Sequence, residues 1–240
     1  MKNTRILFVT IISLMLTNCN YSSSTDKNDT TKKENTIGDE VTIGSQIWTT
    51  KNLNVEVYRN GDTIPQVIDA EEWASSTKGA WCYYENQTSN GKLYGKLYNY
   101  YALTDSRGLA PKGFHIPSYA EWEILYKYLN SDREKAQAKS NWEEAAADYN
   151  SVSHKMKSEK GWSTFNGNNA SGFSALPGGT RNGDDGKFVS RGLEGYWMFT
   201  NKNSYLKLSH YGGEMIYSFD GEGDLNENFN TGMSVRCVKD

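Results

Sequence analysis

Proline, cysteine and histidine are scarce in this chain of 240 residues, at four, three and three. His115, His154 and His210 stand in three unrelated contexts, so they offer no metal-ligand spacing, and no zinc signature accompanies them. No excess of positive charge exists either: the net charge is −3, which leaves no basic face for nucleic acid. The apolar stretch Ile6 to Leu16 is too short to span a bilayer. There is no internal repeat, no phosphate-binding loop and no activated-serine elbow. Aromatic residues and glycine are abundant instead: seven Trp, sixteen Tyr and 22 Gly, a mixture that leans towards short strands and turns.

Residues 1–18 read as a secretory signal, with Lys2 and Arg5 forming the positive start ahead of the apolar stretch. Leu16-Thr17-Asn18-Cys19 resembles a bacterial lipobox, which implies that Cys19 carries the acyl chains anchoring the protein to a membrane. Asn18 departs from the small residue usual before that cysteine, and an ordinary cleaved signal with Cys19 as a free thiol is the alternative. Residues 19–38 are Asn, Ser, Thr, Asp and Lys with almost nothing apolar, a composition that makes a disordered tether. The folded part is residues 39–240.

Within it, Val41-Thr42-Ile43 and Ile47-Trp48-Thr49 flank Gly44-Ser45-Gln46 as a hairpin would. Asp69-Ala70-Glu71-Glu72-Trp73 suits a short helix, and Gly79 to Tyr84 an aromatic strand. Tyr94 to Leu103 has apolar residues at helical spacing and predicts the first substantial helix. Phe114-His115-Ile116 alternates like a strand and Pro117 ends it. Ser118 and Glu121 then fit a capping box ahead of Trp122, Leu125, Tyr126 and Leu129. Residues 132–149, rich in Ala, Glu and Lys, suit an extension of that helical layer or an insert on it. Phe173 to Pro177, Tyr196 to Thr200, Tyr205 to Leu208, Met215 to Phe219 and Met233 to Val238 predict strands. Helices followed by an antiparallel sheet make an α+β pattern.

Five phrases stand out, in this order: Ile43-Gly44-Ser45-Gln46-Ile47-Trp48 with Asn52-Leu53; Tyr94-Gly95-Lys96-Leu97-Tyr98-Asn99; and Gly108-Leu109-Ala110-Pro111-Lys112-Gly113-Phe114-His115-Ile116-Pro117 with Glu121-Trp122. Gly172 to Gly179 and Ser234 to Asp240 complete them. Together they resemble the Fibrobacter succinogenes major paralogous domain, found in surface and secreted lipoproteins of Fibrobacter and Bacteroidota. More distantly, the Gly-Phe-His-Ile-Pro unit and the terminal Val-Arg-Cys-Val look like the formylglycine-generating-enzyme branch of the C-type-lectin-like fold. The resemblance implies a C-type-lectin-like domain, with helices packed on a twisted antiparallel sheet and long Gly-rich loops. It implies no reaction, because folds host many functions. That branch uses a closely placed cysteine pair holding copper, whereas here one cysteine lies in each half of the folded part.

Cys82 and Cys237, an even pair in an exported protein, suggest a disulfide, worth about 4–5 kcal/mol in the chain-entropy account; two buried thiols are the alternative. Asp220, Asp224 and Asn226, with Asp184 and Asp185, form two oxygen-rich loops that could suit Ca2+. Neither has the EF-hand order, and the Glu-Pro-Asn and Trp-Asn-Asp triplets of calcium-dependent lectins are missing, so solvated turns are the plainer reading. Trp162 and Trp197, among Trp81, Tyr205, Tyr211 and Tyr217, are candidates for stacking on sugars, since flat rings with polar rims suit pyranose faces. No acid–base pair stands out. The reading is therefore a lipid-anchored, non-catalytic binding module for polysaccharide or a surface protein, on the outer membrane or cell surface, with the periplasmic face as the other option. A structural surface component, or an enzyme of the sulfatase-modifying branch, would be the alternatives.

Overall fold

The computed structural model describes residues 39–137, 152–200, 205–210, 214–217 and 228–240, with side chains of 132–137 and 214–217 excepted. Cys19, the tether, and Asp220, Asp224 and Asn226 lie outside the described residues. In chain order the strands are β1 (Glu40–Ile43), β2 (Gln46–Thr49), β3 (Trp81–Cys82), β4 (Leu97–Tyr98) and β5 (Phe114–His115). They continue as β6 (Thr180–Arg181), β7 (Phe188–Val189), β8 (Glu194–Met198), β9 (Tyr205–Ser209), β10 (Glu214–Tyr217) and β11 (Val238–Lys239). The helices are α1 (Ala70–Ala74), α2 (Thr88–Tyr94), α3 (Tyr100–Leu103), α4 (Tyr119–Gln137) and α5 (Val152–Met156). Among the described residues no helix is long and apolar enough to cross a membrane.

Gly44 sets the first hairpin. It takes φ 61° at the first of the two turn positions, as a II′-type turn requires, and Ile43 then faces Gln46. β2 pairs onward with β11 and β11 with β5, so the order β1-β2-β11-β5 joins both ends of the folded part in one sheet. The capping box forms as read: Ser118 N–H donates to Glu121 Oε2 at 2.8 Å, and Glu121 N–H to Ser118 Oγ at 3.4 Å. It starts α4, whose Trp122, Leu125 and Leu129 are buried with Trp48, Phe173 and Trp197 in one apolar cluster. A second cluster gathers Tyr58, Trp81, Tyr98, Phe114, Val235 and Cys237; a third, smaller one holds Val67, Trp73, Cys82, Tyr84 and Leu97.

The result is mixed α and β, but in place of the single twisted sheet the described residues form four small antiparallel sheets: β1-β2-β11-β5, β10-β9-β8, β3-β4 and β6-β7. Two further expectations fail locally. Tyr94 to Leu103 is not one helix, because Gly95 (φ 76°) closes α2 and β4 pairs with the aromatic strand β3. Asn99 then restarts the chain, its side chain accepting from the amides of Ala102 and Ala80. Phe173 to Pro177 is not a strand either: Ser174 sits at φ 57°, and only Ala175 makes a bridge, to Lys157. The strand expected from Met233 to Val238 shrinks to β11 plus single bridges at Met233 and Ser234.

Candidate functional site

The phrases that carry the family resemblance close on one another inside the molecule. Asn52 Oδ1 accepts from Arg236 Nε at 2.7 Å and from Trp197 Nε1 at 2.9 Å, while its Nδ2 donates to Tyr94 O at 2.8 Å and Ser234 Oγ at 3.1 Å. Arg236, 1% exposed, also donates to the carbonyls of Thr49, Phe173 and Ser174 and lies over the Phe173 ring. A second buried arginine, Arg181, does the same for Val67, Ile68, Asp69 and Gly186 beside Trp73 and Phe188. A guanidinium has five N–H donors in a fixed fork, so it can satisfy several loop carbonyls that no ladder reaches. These are fastenings, and their best-marked residues face inward.

The residues singled out for binding fare accordingly. Trp162 and Trp197 are buried, Trp162 donating to Ala175 O and Trp197 to Asn52, so neither ring is open to a sugar. Trp81 and Tyr205 are buried as well. The side chains of Tyr211 and Tyr217 lie outside the described ones. Cys82 and Cys237 are free thiols, which corrects the disulfide: they sit in different apolar clusters, Cys82 beside Arg181 and Cys237 beside Arg236 and Arg59. Asp184 and Asp185 stay on an exposed turn between β6 and β7. Asn228 Nδ2 donates to Asp184, and Lys187 Nζ to Asp185 at 2.7 Å, which holds the Asp185 carboxyl below its ordinary value. Among the described residues no three His, Cys, Asp or Glu side chains gather to hold a metal ion.

What the surface does offer is an apolar shelf around residues 188–194. Ile68, Leu93, Phe165, Val189 and Leu193 are five of the seven large apolar side chains exposed among the described residues, Phe165 the most at 69%. Their supports interlock. Ser163 N–H donates to Gly192 O at 2.8 Å and His210 N–H to Leu193 O at 2.7 Å. Arg191 Nη1 reaches Asn90 Oδ1 at 2.8 Å on α2, one turn before Leu93, and its Nη2 lies 3.5 Å from Glu85 Oε2. Asn86 Nδ2 holds Ile68 O at 3.1 Å. From beneath, the buried Lys157 donates to Phe165 O at 3.2 Å and lies over the Trp162 ring.

Four of the six non-glycine residues with positive φ among the described residues lie here: Glu85, Asn86, Phe165 and Ser190, at 53°, 55°, 48° and 68°. Such backbone costs on the order of 1–3 kcal/mol per residue and persists only where its surroundings over-determine it. Gly179 underlies the turn. A Cβ there would meet Val189 O at 2.4 Å and Arg191 N at 2.7 Å, so only glycine admits this approach. Behind the shelf, Glu194 takes Lys207 Nζ at 2.6 Å and the Tyr196 hydroxyl. Burial opposes its charge, but these partners and Ser190 outweigh that and hold Glu194 below its ordinary value.

A second surface feature is a partly exposed aromatic trio. Tyr100 and Phe229 stack with centroids 5.3 Å apart, and Tyr101 meets Phe229 edge-on at 5.7 Å. Sequence reading found neither feature. Ile68, Phe165 and Leu193 lie on loops, Leu93 on α2 and Val189 on β7, so they leave no periodic signal, and the trio joins residues far apart in the chain.

Among known families, the one described as the Fibrobacter succinogenes major domain matches residues 41–239, and the chain belongs to it. No curated protein and no solved structure matches.

Proposed function

We propose that this member of the Fibrobacter succinogenes major domain family is an exported, lipid-anchored, non-catalytic binding module that docks a surface protein on the 188–194 shelf. The observation that carries this is the concentration of exposed apolar side chains there, on backbone held rigid from below. Exposed apolar side chains set among polar groups suit a contact surface, and an arginine braced on an aromatic ring, as Arg191 is on Tyr84, suits the centre of one. Four of the five exposed side chains are aliphatic, Phe165 being the exception, and that balance favours a protein over a glycan, since sugars are met by flat rings. Cys19 would carry the anchor, and 19–38 the tether to an outer-membrane or surface location. The finer fold assignment, C-type-lectin-like, belongs to this proposal; it is supported by short strands joined by long Gly-rich loops.

The test places a photo-crosslinking residue at Leu193 in the full-length protein on intact cells, with Tyr128, exposed on α4, as control. Adducts at 193, absent at 128 and lost in a Phe165→Asp background, are expected. No adduct, or equal yields at both positions, would sink the shelf. A glycan reading is favoured by one observation, the trio of Tyr100, Tyr101 and Phe229. It predicts polysaccharide binding that is lost in Tyr101→Ala and kept in Leu193→Asp.

A further inference from the structure

We propose that His115 is a proton-operated clasp: as an imidazolium it ties the start of α4 to the residue after β11, and loss of its proton frees that end. Its Nε2 lies 2.6 Å from Glu121 Oε1 and its Nδ1 2.9 Å from Asp240 Oδ1. Carboxylate oxygens only accept, and a neutral imidazole carries one N–H. Both contacts together therefore require both nitrogens protonated. A neutral ring would aim a lone pair at one of the two carboxylates.

The two partners are not equally held. Glu121 Oε2 accepts from the Ser118 amide and hydroxyl, both at 2.8 Å, so the cap fixes this carboxylate whatever the ring does. Asp240 is exposed, and only its backbone amide, donating to Gly113 O at 3.1 Å, backs up the side-chain contact among the described bonds. The neutral ring would then keep its N–H on Glu121 and release Asp240.

Other charges around the ring are already committed or turned away. On the β11 side Lys239 pairs with Glu40 of β1 at 2.8 Å, and behind β5 Arg59 donates to Phe114 O at 2.8 Å. Lys112, before β5, is exposed, and on α4 Glu123 lies 3.6 Å from Lys127. Burial disfavours the charged ring, yet the bonds and charges of Glu121 and Asp240 prevail and raise His115 above its ordinary value.

A raised folded value fixes the sign. The clasp contributes fully below the unfolded value of about 6.5 and is lost as pH rises through the folded one. Glu121 bounds the acid side: burial works against its charge, Ser118 and His115 outweigh that, and its contribution is lost as pH falls through its lowered folded value.

The experiment follows the ring nitrogens of His115 by NMR in the intact domain-bearing chain, alongside exchange protection of the Val238 and Asp240 amides. Both nitrogens should stay protonated above the ordinary histidine value of about 6.5, with protection at 238–240 falling as the ring titrates. Asp240→Asn leaves the cap untouched and should lower the titration point of His115 while removing the pH dependence of that protection. A His115 that titrates at or below its ordinary value, or terminal protection indifferent to its protonation, would overturn the clasp.

Discussion

Arg236 and Arg191 show two opposite uses of one side chain. Arg236 is sealed in the interior, its fork spread over Asn52 and three carbonyls; Arg191 stands exposed on the shelf with Asn90 and a loose contact to Glu85. In a dry interior each hydrogen bond is strengthened and each unmade one is costly. At the surface the same charge is screened and contributes little. The interior region thus specifies the fold, while the shelf is left with side chains whose exposure folding does not explain. That contrast separates what the domain is built from and what it could present to a partner.

Breaking the interior side should give the largest effect. Arg236→Met leaves the carbonyls of Thr49, Phe173 and Ser174 and the Asn52 side-chain oxygen short of a donor. A cost of at least about 3 kcal/mol is expected, read as a drop in the urea midpoint. A loss below about 1 kcal/mol would mean that the neighbouring loops re-satisfy themselves without the guanidinium.

Asn52→Ala comes next, at about 2–3 kcal/mol, because it orphans the Trp197 indole N–H and one N–H of Arg236 while leaving the other arginine bonds in place. The informative quantity is the coupling. Asn52→Ala and Arg236→Met share a bond, so their costs should fall short of additive by more than about 0.5 kcal/mol in a double-mutant cycle. Additive costs would show that the two residues support separate parts of the interior.

Local backbone chemistry was legible in the sequence, and long-range convergence was not. The Gly44 hairpin and the Ser118–Glu121 cap follow from residues within six positions of each other, and both form. Tyr94 to Leu103 misled because its apolar spacing fits a helix, while the pairing of Leu97 and Tyr98 with Cys82 and Trp81 depends on a distant strand. Glycine was the clue available, since Gly95 punctuates the run. The aromatic candidates failed for a related reason: Trp162 and Trp197 have polar indole N–H groups, and Ala175, across an irregular loop, and Asn52, far away in sequence, satisfy them inside the core. Five ordered phrases identified the family without identifying a site, because the residues that mark them serve the interior.

The two thiols sit one on each side of the contrast and allow the finest test of it. Cys237 belongs to the large second cluster, whereas Cys82 lies with Tyr84, Trp73 and Phe188 in the small cluster beneath the shelf. Burial pushes each thiol up to about 12, against the opposing pull of Arg181 on Cys82 and of Arg236 and Arg59 on Cys237. Only the thiolate attacks a labelling reagent, so both should be inert in the native protein, and a reductant should leave the melting temperature unchanged. A melting temperature that falls on reduction would restore the disulfide. Under mild urea the two should separate: fewer buried neighbours surround Cys82, so it should become reactive first, through local opening of the shelf. Equal labelling rates at every urea concentration would mean that shelf and interior open as one unit, and that the rigidity under Phe165 extends through the whole domain.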